Sequence, residues 1–132
     1  MIDVLLVDDH PVMRELLRHV LEVYPDLSIV AEAANGEDAI VQATRFQPSV
    51  AIVDVRMPTM NGIEATKKIR VQSPSTVVIG LTAGQPDHED LEMISAGAAK
   101  VIDKADVVNS LYPAIINAVT CLKVATPGSN AL

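Results

Sequence analysis

Four places in the chain set a polar, chemically capable side chain at the end of an apolar run. Asp8 and Asp9 follow residues 2–7, Asp54 follows 50–53, Thr82 follows 76–81, and Lys104 follows 99–103. Three carboxylates brought together repel one another and stay ionised only with a cation among them. Oxygen ligands with no cysteine or paired histidines nearby favour Mg²⁺ over zinc. An ion held by two acids while a third stays free suits phosphoryl transfer. The free carboxylate attacks phosphorus, and the metal and a lysine neutralise the equatorial oxygens. An aspartyl phosphate at Asp54 adds charge and acceptor oxygens within reach of the Thr82 hydroxyl, which makes a switch rather than an end product.

Each residue alone has a plainer reading. Asp54 caps a turn, Asp8 and Asp9 are first-turn acids favoured by a helix dipole, Thr82 ends a strand, and Lys104 is solvated. His10 and His88 read as loop histidines without a catalytic role, and Cys121 as helix filler. The set gains force only if the elements bring the tips together.

Those elements are legible from periodicity. Residues 2–7, 28–31, 50–53, 76–81 and 99–103 are short, largely apolar runs of the kind a buried parallel strand requires. Between them lie helical patterns. His10-Pro11 opens the first, with Met13, Leu16, Leu17, Val20, Leu21 and Tyr24 as its apolar stripe, and Pro25-Asp26 stops it. Asn35 caps a second that buries Ala39, Ile40 and Ala43. Asn61 and Glu64 have capping-box spacing for a third, to about residue 71. A weaker fourth spans 87–96. The fifth spans 107–122, with Val108, Leu111, Ile115, Val119 and Leu122 inward. Residues 1–123 thus form one domain, and 124–132, with Pro127-Gly128-Ser129-Asn130, a C-terminal tail or a truncated linker. Right-handed crossovers turn this alternation into a doubly wound α/β sheet of order 2-1-3-4-5, in which the four polar tips converge on one edge.

Composition narrows the functions. The 132 residues are 49% hydrophobic but 2% aromatic, so aliphatic side chains must fill the core. A net charge of −7 argues against non-specific binding to nucleic acid or an anionic membrane. One cysteine excludes an internal disulfide and a multi-cysteine zinc site. The N-terminus lacks a basic region, and no apolar run approaches the ~20 residues of a membrane span. The expectation is a cytoplasmic protein without membrane contact.

Leu5-Leu6-Val7-Asp8-Asp9-His10, Asp54-Val55-Arg56-Met57-Pro58 with Asn61-Gly62, Leu81-Thr82-Ala83 and Lys104 resemble the receiver domain of bacterial two-component response regulators. The resemblance covers residues 2–122 and implies a flavodoxin-like (βα)₅ fold and Mg²⁺-dependent phosphotransfer from a sensor histidine kinase. It implies that Asp54 is the phosphoacceptor, that Asp8, Asp9, Asp54 and the backbone carbonyl of Arg56 hold the metal, that Thr82 is the switch hydroxyl and that Lys104 contacts phosphate. It further implies no enzyme beyond its own phosphorylation and dephosphorylation, and a homodimer on activation. The Asp-Asp-His-Pro opening is similar to the subfamily with a LuxR-type helix-turn-helix domain, so DNA contact and transcriptional output would run through a C-terminal domain not in this chain. Three features depart from the family pattern. Val101 stands where an aromatic residue is usual, Ala105 follows Lys104 where many members have proline, and these 132 residues include no DNA-binding domain. Two other classes compete: a constitutive protein-interaction module that works unphosphorylated, and a dehalogenase-type phosphatase. The latter usually has a second acid where this chain has Arg56.

Overall fold

The computed structural model describes residues 1–84 and 88–131, with side chains as far as residue 120. Five strands, β1 (Ile2–Val7), β2 (Leu27–Ala33), β3 (Val50–Asp54), β4 (Val77–Thr82) and β5 (Ala98–Asp103), form one parallel sheet in the order β2-β1-β3-β4-β5. This is the expected flavodoxin-like sheet. The helices are α1 (Pro11–Glu22), α2 (Gly36–Phe46), α3 (Gly62–Gln72), α4 (His88–Ala96) and α5 (Val107–Ala131), with a 3-10 turn at Lys104–Asp106 before the last.

Alternate residues of each central strand serve opposite layers. Leu5, Val7, Ala51, Val53 and Val78 pack with Ala39, Ala43, Ile63, Ile69 and Met93 of α2, α3 and α4. Val4, Leu6, Val50, Ile52, Ile79 and Leu81 pack with Leu17 and Leu21 of α1 and with Leu111 and Ile115 of α5. A sheet covered on both faces explains the unbroken apolar runs. Asn35 and Asn61 cap α2 and α3 as expected, accepting from the backbone N–H groups of Asp38 and Glu64 at 2.8 and 3.0 Å.

Some element details differ from the sequence reading. The second strand is longer, because the edge position needs no continuous apolar run and its residues are mostly half-buried. Leu16 is exposed, since Leu17 and Leu21 with Met13 and Val20 already cover the sheet. Val108 is also exposed. The 3-10 turn starts α5 with Val107 inward, which rotates its neighbour outward. Helix α5 continues past Leu122 to Ala131, with no breaker in residues 123–126 and with Pro127 and Gly128 inside it. Asp87, Leu132 and the side chain of Leu122 lie outside the described residues.

Candidate functional site

The crevice beside β1 and β3, where the sheet order reverses, collects the strand tips as parallel topology dictates. Asp54 closes β3 at 3% exposure, and Asp8, just past β1, is fully buried. Neither would be tolerated there uncompensated. Lys104, 17% exposed, brings its Nζ to 3.0 Å from Asp8 Oδ2 and 3.2 Å from Asp54 Oδ2. It is aimed by the 3-10 turn, which Asp103 caps by accepting from the Ala105 N–H at 2.9 Å. Thr82 ends β4 opposite Asp103 of β5 and is half-buried.

The loop after β3 is fixed by close approach. The Gly62 N–H donates to the Val55 carbonyl at 2.8 Å and the Val55 N–H to the Leu81 carbonyl at 2.9 Å. A Cβ at residue 62 would overlap the carbonyl oxygen of Asp54, so only glycine lets α3 begin there. The loop also holds Thr59 at φ 71, a left-handed conformation uncommon for a β-branched residue. The Arg56 N–H donates to Asp54 Oδ1 at 3.3 Å. Its guanidinium leaves the pocket and pairs with Glu89 of α4 at 2.6 and 2.7 Å.

Burial pushes the Asp54 carboxyl up to about 6, with help from the Asp8 charge. The Lys104 ammonium and the Arg56 N–H pull it partly back. Burial opposes the charge on Lys104, but its hydrogen bond to Asp8 and the Asp54 and Asp8 charges outweigh that and raise its pKa above the usual value. Two buried carboxylates thus share one ammonium, which leaves the site short of positive charge.

A cation fits that deficit. Ligand atoms of Asp8, Asp9, His10 and Asp54 all lie within 4.8 Å of one another. Asp8 Oδ2 and Asp54 Oδ2 share the single Lys104 ammonium at 3.0 and 3.2 Å, and buried Asp9 Oδ1 faces His10 Nδ1 at 3.2 Å. Of the residues singled out in the sequence, Asp8, Asp9, Asp54 and Lys104 come together, and the backbone of Arg56 joins them. Two members of the site were missed. His10 stands 3.3 Å from Asp8 Oδ1 and 3.2 Å from Asp9 Oδ1. Arg14 of α1 donates from Nη1 to the Asp8 carbonyl at 2.6 Å and pairs with Glu32. The adjacency of His10 to two acids was the available signal. For Arg14, one helical turn into α1, there was none. No helix among the described residues is long and apolar enough to cross a membrane.

Residues 4–115 match the family described as the response regulator receiver domain. The chain is 34% identical over 115 residues to the response regulator GacA of Pseudomonas protegens, covering 87% of this chain and 54% of that protein. It is 29% identical over 128 residues to the nitrate/nitrite response regulator NarL of Escherichia coli, covering 94% and 59%. A protein-glutamate methylesterase/protein-glutamine glutaminase of Syntrophus aciditrophicus is 35% identical over 114 residues, 85% of this chain and 33% of that protein. The chain therefore spans between about a third and three fifths of these relatives. Among solved structures, the response regulator domain of Thermotoga maritima CheB superposes with a TM-score of 0.85 at 30% identity, covering 91% of this chain and 97% of that one. A LuxR-family response regulator from Aurantimonas sp. gives 0.85 at 31%, covering 91% and 86%.

Proposed function

The chain belongs to the response regulator receiver domain family, and from that membership we propose a phosphorylation-controlled signalling domain, with Asp54 accepting a phosphoryl group from the phosphohistidine of a sensor histidine kinase. An Asp54 carboxylate oxygen attacks phosphorus, the phosphorus–nitrogen bond of the donor breaks, and the donor imidazole leaves with its electron pair and takes up a proton. Asp8, Asp9, Asp54 and the Arg56 carbonyl are the proposed Mg²⁺ ligands. When bound, the ion supplies charge neutralisation for the transferring phosphoryl oxygens. Lys104, already between Asp8 and Asp54, would hold a phosphoryl oxygen, and Thr82 would donate its hydroxyl to another. Once Asp54 carries phosphate, Lys104 and Thr82 draw toward it, and the surface of α4, β5 and α5 changes its partner preference.

The observation that carries this reading is the shared pairing of the Lys104 ammonium with Asp8 and with a buried Asp54 pushed up to about 6. A carboxylate kept in low dielectric beside one lysine shared with Asp8 is costly for structure alone and is arranged as a nucleophile. In the wider protein we take residues 1–123 as the receiver and 124–132 as the start of a linker. Activation would produce a homodimer, with transcriptional output through a DNA-binding domain beyond this chain and no turnover beyond its own phosphate. A constitutive interaction module would have no need of the complete acid and lysine set.

The test is intact mass after incubation with Mg²⁺ and acetyl phosphate, beside Asp54→Asn. One Mg²⁺-dependent phosphoryl adduct, absent from the variant, is expected. No adduct together with no beryllofluoride binding would favour the constitutive module.

A further inference from the structure

The guanidinium of Arg14 reaches the backbone of the acidic turn after β1, and we infer that Arg14 is a positioning residue for phosphotransfer. It acts through Asp8. By holding that carbonyl it sets the Asp8–Asp9 peptide, and with it the direction of both carboxylates. The inference rests on the receiver reading for those carboxylates and adds to it a residue that works only through the backbone of one of them.

Asp8 lies past the last paired residue of β1, where Val7 meets Ala33 of β2 and Val53 of β3. Its N–H still donates to the Ala33 carbonyl at 3.1 Å, but its own carbonyl is beyond both ladders. The residue is fully buried, so bulk water cannot serve that carbonyl. Arg14 Nη1 does, at 2.6 Å, a short charge-assisted bond. The Asp8 side chain is held separately, with Oδ1 accepting from the His10 N–H at 2.9 Å and Oδ2 pairing with Lys104 at 3.0 Å. Residues 8–10 belong to no helix or strand. The direction of the Asp8–Asp9 peptide is therefore set outside the regular ladders, and Arg14 is bonded to it directly.

The guanidinium is itself aimed. Arg14 Nε pairs with Glu32 Oε1 at 3.4 Å, and Arg18, one turn further along α1, pairs with Glu32 Oε2 at 3.0 Å. Glu32 stands beside Leu6 in the ladder between β1 and β2. One acid of the edge strand thus holds the Nε side of Arg14 while Nη1 turns to Asp8, a division of labour that the rigid, forked guanidinium allows. An arginine that merely fastened α1 to β2 would need no more than Glu32, and Arg18 already provides that tie. The bond to Asp8 sets Arg14 apart from Arg18.

The test titrates Mg²⁺ into the whole chain at one fixed pH, followed by amide NMR shifts, in wild type, Arg14→Met, Arg14→Lys and Arg18→Met. The Asp8 carbonyl carbon shift is read in the same samples before metal is added. Arg14→Met should move that shift and weaken Mg²⁺ binding by roughly tenfold or more, the scale on which partners of metal ligands act. Arg18→Met, which gives up a pairing with Glu32 and leaves Asp8 untouched, should change neither. Arg14→Lys keeps the charge but not the planar fork, so it should recover part of the loss. If Arg14→Met does not fold, Arg14→Lys takes its place and should bind Mg²⁺ more weakly than Arg18→Met. An unchanged affinity in the Arg14 variant, or an equal loss in Arg18→Met, overturns the positioning role. Mg²⁺-dependent beryllofluoride binding by wild type separates the two levels. A wild type that binds both while Arg14→Met keeps full Mg²⁺ affinity loses the positioning role alone, whereas a wild type that binds neither loses the receiver reading with it.

Discussion

Replacing Asp54 by Asn should stabilise the metal-free protein, and the gain should depend on pH in a direction set by burial. In the folded chain Asp54 is pushed up to about 6 from an ordinary 3.8. Between those values the folded state holds more protons than the unfolded chain, so this group's contribution to stability falls as pH rises and levels off above about 6. The difference, at about 1.4 kcal/mol per pH unit, gives a ceiling of about 3 kcal/mol lost by pH 8. Asn carries no charge to bury and is nearly the same size, and Lys104 keeps Asp8 as a partner at 3.0 Å. At about 2.1 cal/mol/K of unfolding entropy per residue, 3 kcal/mol is roughly 10 °C in Tm for a chain of this length. The assay is urea or thermal unfolding of both proteins in EDTA from pH 4 to pH 8. Other acids titrate in that range, so the quantity to read is the difference between variant and wild type. That difference should be small near pH 4, grow toward pH 6 and then hold. A difference independent of pH, or one that shrinks as pH rises, would refute the claim that burial and the Asp8 charge destabilise ionised Asp54.

Lys104→Met should destabilise the protein by about 2–4 kcal/mol at pH 7, because two buried carboxylates lose their cation. The phosphoryl adduct expected by intact mass should be lost with it, and Asp54 should titrate above about 6 in carboxyl-labelled NMR. Gly62→Ala, which in an unconstrained helix would gain up to about 1 kcal/mol, should instead cost about 1–3 kcal/mol in urea unfolding, since the new methyl meets the Asp54 carbonyl. Val101→Tyr should cost about 1–3 kcal/mol, because Val101 and Met93 both border the bare face of Gly80 and a ring would compete with Met93 for that space. Pairing it with Met93→Ala should recover part of that loss in the same assay, and equal, additive losses would count against shared space.

The sheet edge was legible because its logic is topological. Once apolar runs alternate with helix-length segments, parallel strands put every C-terminal tip on one side, and Asp8, Asp54 and Lys104 meet without any knowledge of side-chain packing. The Asn35 and Asn61 caps were legible for a similar reason, since capping is local in sequence. Groups that reach across the fold were not. Arg14 finds the Asp8 carbonyl because the first turn of α1 lies over the end of β1, and Arg56 finds Glu89 from 33 residues away. Neither distance is encoded in spacing. The exposures of Leu16 and Val108 were misjudged because an apolar stripe wider than the contact it serves leaves its margin in solvent, and periodicity does not say which margin.

Val101, one of the departures from the family pattern, has a structural counterpart that bears on how a signal leaves the site. Val101 lies beside Gly80 of β4 in the ladder, and its side chain is half-buried against the layer that holds Met93. Met93 projects from α4 onto the bare face of Gly80, so closely that a Cβ there would stand 2.7 Å from its terminal methyl. The same side chain receives the Thr66 hydroxyl at its sulfur, 3.7 Å away, which ties α4 to α3 as well as to β4. A small strand residue, a small neighbour and a long, adaptable side chain thus fill a volume that an aromatic ring would otherwise share. Gly80 lies two residues before Thr82 on the same face of β4. Close-packed interiors transmit displacement rather than absorb it. Movement of the β4 end toward a charge on Asp54 would therefore press on Met93 and shift α4 directly, and the helix surface can respond without any ring having to turn.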